Sequence, residues 1–201
     1  MKSVLISIQP KWVEKIASDK KIIEVRKSRP KIETPFKCYI YETKGKQVEH
    51  CDGCDVTYYG RGKVIGEFIC DHIYEIDCAQ DFRSNRWLLK ESCLKTKDIE
   101  EYLAPKWFGY AWHISDLKIY DKSKELSEFY KPFKYDGDGL ICGTKQEIND
   151  IYEWDCETVF GKKYPNFDFE NCKCEDCPKA KDFYCLTRPP QSWCYVENLG
   201  E

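Results

Sequence analysis

Apolar residues recur with a period of two in several short stretches of this chain and with a helical period in only a few. That distribution predicts an α+β fold that is mainly β. Residues 2–9 alternate as a strand, with Val4, Ile6 and Ile8 on one face. Pro10 suits the first turn of a helix, where a missing N–H costs nothing, and Trp12, Val13 and Ile16 follow at helical spacing. Ser18 and Asp19 end that helix. Residues 22–26 then read as a strand with Ile23 and Val25 on one face and Glu24 and Arg26 on a charged, solvent-facing edge. The segment 19–29, DKKIIEVRKSR, is therefore the expected centre of a binding or catalytic surface; an ordinary half-buried strand with a solvated face is the alternative.

Further along, 36–43 reads as a third strand, with Phe36, Cys38 and Ile40 on one side and Lys37, Tyr39 and Tyr41 on the other. Residues 45–60 are polar, contain glycine and lack a period, which predicts a long loop. Strand character returns over 62–76. From 79 to 103 the pattern is helical or irregular, and 97–103 is the better helix, capped by Thr96. Residues 108–120 predict a long strand, bulged near Ser115 and Asp116, where the apolar parity slips. The stretch 126–133 is ambiguous. Residues 136–185 carry the weakest pattern, and 192–196 read as a terminal strand returning to the sheet. With no internal repeat and no convincing linker, 1–201 reads as a single domain with insertions at about 45–60 and 136–186.

Charge adds an asymmetry that the net value of −3 conceals. Residues 1–63 hold fourteen Lys and Arg against eight Asp and Glu, and the remainder holds eighteen against twenty-seven. A basic first third points towards a polyanionic partner. No apolar run is long enough for a signal segment or a membrane span, so a cytoplasmic protein with no membrane association is expected. In a reducing compartment the thirteen cysteines are free thiols or metal ligands more often than disulfides. Cys172, Cys174, Cys177 and Cys185 offer four soft donors within a short, weakly apolar segment, the donor set of a structural zinc site. Cys51 and Cys54, beside His50, are alternative ligands. Cys38, Cys70, Cys78 and Cys142 sit in apolar or isolated contexts that suit packing.

The blocks LISIQPKWVEKI, Lys20-Lys21, IIEVRK and FKCYIYETKG, followed by GKVIGEF, GYAWHISDLKIYD and RPPQSWCYVE, resemble the ASCH family, a PUA-like group, in the variety common in bacterial and prophage members. The resemblance covers about 1–45, 61–133 and 186–198. It implies a small, mostly antiparallel β-barrel with flanking helices, here with a cysteine-rich, zinc-binding insertion. It also implies RNA or nucleotide binding in a cleft lined by the Lys…Glu-x-Arg segment.

One branch of the family is similar to acetylcytidine amidohydrolases, which use a lysine, a threonine and a glutamate. Lys21 matches that lysine and Glu67 the glutamate, whereas Glu24 stands in the threonine position. A carboxylate does not replace the hydroxyl nucleophile. The resemblance thus favours an RNA- or nucleotide-binding module over catalysis, although Lys21, Glu24 and Glu67 would be the catalytic set of an amidohydrolase or ribonuclease. Lys21, Glu24 and Arg26, with His113 as a hydrogen-bonding group and Tyr195 as a stacking ring, form the expected nucleic-acid-binding set. Trp12, Trp112 and Trp193 lie in apolar neighbourhoods that suit the core.

Overall fold

The computed structural model describes residues 3–51, 53–78, 86–129, 134–136, 139–141, 186 and 188–196. The chain divides into two compact units, Met1–Glu125 with Pro189–Cys194, and Leu126–Arg188 with Tyr195–Glu201. The second takes in the segment 136–186 that the sequence sets apart. There Leu126–Glu128 forms a 3₁₀ turn, the Leu186 N–H donates to the buried Phe129 carbonyl (2.8 Å), and β10 (Lys134–Asp136) pairs antiparallel with β11 (Gly139–Ile141). The cysteines at 172, 174, 177 and 185, and Cys142, lie outside the described residues.

The first unit is mainly β, as its alternating stretches predict. In the five-stranded sheet the order is β12 (Trp193–Val196), β1 (Ser3–Ile8), β3 (Phe36–Glu42), β6 (Lys63–Cys70) and β9 (Ser115–Lys124). A three-stranded sheet holds β2 (Ile23–Arg26), β8 (Phe108–His113) and β7 (Ile73–Asp77). The five-stranded sheet is mixed rather than antiparallel throughout, because β1 and β3 run parallel, with Ile6 opposite Ile40. A parallel pair needs a crossover, and α1 (Pro10–Ala17) with β2 supplies it. β1 is buried at every position, so its sequence alternation does not separate a wet face from a dry one.

The two long strands expected over 62–76 and 108–120 are each broken. The chain leaves β6 at Asp71–His72 and enters β7 in the other sheet; it leaves β8 at Ile114 and enters β9. Both breaks fall at one corner, where Ile69 pairs with Ser115 and the His113 N–H donates to the His72 carbonyl (2.9 Å). Asp116, with φ of +48°, marks the place where parity slips in the sequence. The expected bulge is there: β9 has one extra residue between Ser115 and Lys118 opposite Glu67–Ile69, and the chain also changes sheets just before it, at Ile114.

Residues 45–60 are likewise not a loop. β4 (Gly45–Cys51) and β5 (Cys54–Gly60) form an antiparallel ribbon whose turn carries Gly53 at φ of +97°. The ribbon is tied to α1 by Lys11–Glu49 (2.8 Å) and by the Gln47 amide donating to Gln9 (2.7 Å). Neither face needs to be apolar, so no period betrays it: Val48 and Tyr59 stay exposed.

On the outer face of the three-stranded sheet, Ile23, Val25, Ile76 and Ala111 pack against Leu88 of α2 (Arg86–Ser92) and Ile99 and Leu103 of α3 (Thr96–Leu103). Thr96 is the first residue of α3 rather than its cap, and the Lys95 N–H is taken by the Asp98 carboxylate (2.9 Å). Cys38 and Cys70 are buried and Cys78 packs against this cluster, as their apolar contexts predict. Burial, then the neighbouring Asp71, pushes the Cys70 thiol up to about 12, and burial raises Cys38 as well.

Two outcomes follow from this packing. Thiolate is the reactive form, so iodoacetamide should leave Cys38 and Cys70 unlabelled in the native protein at mildly alkaline pH and modify both after denaturation, as read by peptide mass spectrometry. A Cβ at Gly109 would lie 2.5 Å from Leu103 and 2.9 Å from the Arg26 carbonyl. Gly109→Ala should therefore cost about 1–3 kcal/mol in urea unfolding.

Candidate functional site

The helix that precedes β2 ends in a way that decides where Lys21 goes. Asp19 adopts a left-handed conformation (φ 54°), the Lys20 N–H returns to the Lys15 carbonyl (2.9 Å) and the Asp19 N–H to that of Ile16 (2.9 Å). This is a Schellman closure with an Asp where Gly is commonest. It turns the chain sharply inward. Lys21 ends 2% exposed, and Glu24 and Arg26 are each 7% exposed. The charged edge of β2 is thus buried, not solvent-facing as the alternation predicts, because β1, α2 and the segment before β12 cover it.

Three groups share the burial. Lys21 Nζ lies 3.1 Å from one Glu24 oxygen, and an Arg26 Nη lies 3.0 Å from the other. Lys21 also donates to the Ile23 carbonyl (2.7 Å) and to that of Ser92 (2.9 Å), the last residue of α2. The end of a helix has unpaired carbonyls and favours a cation. Lys21 is therefore held by three oxygens, matching the three donors of an ammonium group. Arg26 donates through Nη2 to the Ser7 carbonyl (2.6 Å) and, weakly, through Nη1 to the Ser192 hydroxyl (3.5 Å). Its Nε, fully buried, has no hydrogen-bond partner among the described residues.

These side chains line a cleft of about 960 Å³. Trp12 forms one wall, with Lys21 Nζ 5.3 Å from its ring and the Lys11 and Lys15 ammoniums nearer still. The half-buried Trp12 is thus a cleft wall rather than a core residue. The opposite wall is α3, through Asp98, Glu101 and Tyr102, and Pro189–Gln191 close the rim. The cleft's charged base holds two cations and one carboxylate.

The other expected residues lie elsewhere. Glu67, on β6, accepts from the Tyr120 hydroxyl and sits 3.7 Å from Lys37; it does not line the cleft. His113 pairs in register with Ile23, and so shares the face opposite to that of Glu24. Its Nδ1 lies 2.6 Å from Asp71. Burial pushes the Asp71 carboxyl up, but the hydrogen bond and charge of His113 outweigh it and hold the group below its usual range. Tyr195 belongs to the second unit. Trp112 is wholly buried, as its surroundings predict, while Trp193 is half-buried and donates to the Ser28 hydroxyl (3.1 Å).

Ser7, Ser92 and the α3 wall carry no signal in the sequence, since their roles rest on backbone carbonyls and on helix placement. Pro189 and Pro190 do fall in one of the family-like blocks. Among the described residues no group of three or more His, Cys, Asp or Glu side chains is placed to hold a metal ion, and no helix is long and apolar enough to cross a membrane.

A buried carboxylate between two cations predicts a large effect of its removal. Glu24→Ala leaves Lys21 and Arg26 buried without their shared counter-charge and should cost about 3–5 kcal/mol, measured by urea unfolding. Lys37→Ala, at the less buried end of the Glu67 pair, should cost less than about 1 kcal/mol.

No family model matches this chain, and no curated protein matches it. Among solved structures it is similar to the ASCH protein of Zymomonas mobilis, at 19% identity and a TM-score of 0.47 over 75% of this chain and 94% of that one. Two single-substitution variants of the same protein match at 19% and 18% identity, with TM-scores of 0.48 and 0.47, each over 76% of this chain and 98% and 95% of theirs. All three of these structures are of that one ASCH protein.

Proposed function

We propose that this chain is an RNA- or nucleotide-binding module of the ASCH type, with its PUA-like sheets wrapped as a small barrel around the core, and that the cleft at Lys21, Glu24 and Arg26 is its binding site. The observation that carries this reading is Arg26. A guanidinium buried to nine-tenths at the base of an open cleft, with Nη1 held only at 3.5 Å, keeps donor capacity that a ligand can take up. Its flat fork suits a phosphate or the acceptor edge of a base. Trp12 and Tyr102 offer rings beside it.

Catalysis has less support. The three donors of Lys21 are committed to oxygens, both Glu24 oxygens face cations, and Glu67 lies outside the cleft. A zinc ion held by Cys172, Cys174, Cys177 and Cys185, with Cys51 and Cys54 as alternative ligands, is proposed on the chemistry of the thiolate set alone.

Fluorescence anisotropy with short single-stranded RNA should show binding that weakens as salt rises, and Arg26→Ala should weaken it about tenfold or more. Thermal unfolding of the variant must confirm that the fold survives. Absence of binding by folded wild-type protein at low salt, to RNA and to mononucleotides alike, would remove the proposal. Turnover of acetylated cytidine or RNA that disappears in Lys21→Gln and Glu67→Gln would replace it with a hydrolase. Metal analysis of the purified chain should find about one zinc, and a metal-free protein that still unfolds cooperatively would sink the zinc site.

A further inference from the structure

The cleft ends at Arg26, and the chain that follows it turns into a second, differently built concavity. Lys27, Arg29 and Lys31 line a groove of about 820 Å³ with Tyr110 and His72, and Glu33 is the one carboxylate in its lining. All three cations are exposed. The Arg29 guanidinium stands 5.7 Å over the Tyr110 ring, and Tyr110 is the register partner of Arg26 on β8. At the groove's margin, His72 meets Tyr74 in a tilted contact (4.3 Å), and Tyr74 meets Trp87 of α2 edge-on (4.9 Å). Tyr74 and Trp87 are each 39% exposed, so both rings are open to a ligand.

We propose that this groove and its aromatic margin form a second subsite, which grips the backbone and stacks the bases of a single-stranded RNA whose first nucleotide occupies the cleft; the proposal rests on the reading of the cleft as a nucleotide site. Cations that track a backbone beside rings that stack bases are what sequence-tolerant single-strand binding requires. Continuity between the two concavities is visible at Lys27. It lines the groove, and its ammonium lies 5.2 Å over the ring of Tyr102, which lines the cleft.

The direction of travel is set by charge. Beyond Lys21 and Arg26 the cleft's lining has no cation among the described residues, whereas the groove has Lys27, Arg29 and Lys31, so a second phosphate is drawn towards the groove. A mononucleotide needs the cleft alone. An oligonucleotide gains the groove.

The test uses the full chain with two probes, uridine monophosphate by calorimetry and a short fluorescein-labelled oligouridylate by anisotropy across a salt series. The variant Lys27→Gln/Arg29→Gln/Lys31→Gln should bind the oligonucleotide at least about tenfold more weakly at low salt, with a salt slope reduced by about two, and bind the mononucleotide as wild type does. Trp87→Ala should weaken oligonucleotide binding about fivefold or more without changing the slope. Oligonucleotide affinity and slope unchanged in the triple variant would overturn the subsite while leaving the cleft standing. Wild-type protein that binds the mononucleotide and gains nothing from a longer strand would do the same. Failure to bind either probe would overturn both proposals together.

Discussion

The site depends on one constraint: three ionised side chains from a six-residue stretch are taken out of water together. Lys21, Glu24 and Arg26 are each at least nine-tenths buried, and each is intelligible only through the others. Burying an unpaired charge costs several kcal/mol, so the carboxylate between the two cations is what makes the arrangement tolerable. The fold supplies the rest. The open carbonyl end of α2 receives Lys21, and the Ser7 carbonyl on β1 receives Arg26. A cluster built this way is interlocked, because no member can move without leaving another buried and unpaired.

That interlocking separates the two concavities. The charged groups at the base of the cleft are fixed by contacts within the chain. The groove beyond Arg26 is the opposite. Lys27, Arg29 and Lys31 are exposed, and salt screens their charge. A short element, β2, thus joins a buried charge cluster to an exposed cationic segment.

The departures from the expected fold share a cause. The long strands over 62–76 and 108–120 break because both chains cross from one sheet to the other at the corner joined by His113 and His72. A strand that changes sheets keeps its alternation on either side of the break, so the pattern reads through the corner almost unmarked. The β4–β5 ribbon shows the converse. It pairs correctly yet rests on α1 through Lys11–Glu49 and Gln47–Gln9, polar contacts that leave no apolar period.

The sequence by itself determined the mainly β class, the Pro10-initiated helix with Val13 and Ile16 inward, and the placing of Glu24 and Arg26 together. These are consequences of local spacing: a period of two puts Glu24 and Arg26 on one face whatever surrounds them. Only the tertiary structure decided that this face is buried, since that depends on β1, α2 and the residues before Trp193, up to 166 positions away. It also decided that His113 and Glu67 lie outside the cleft. His113 shares the Ile23 face, and Glu67 sits on β6, paired with Lys37 and Tyr120. Strand pairing and sheet order set those positions, and neither is a local property of the chain.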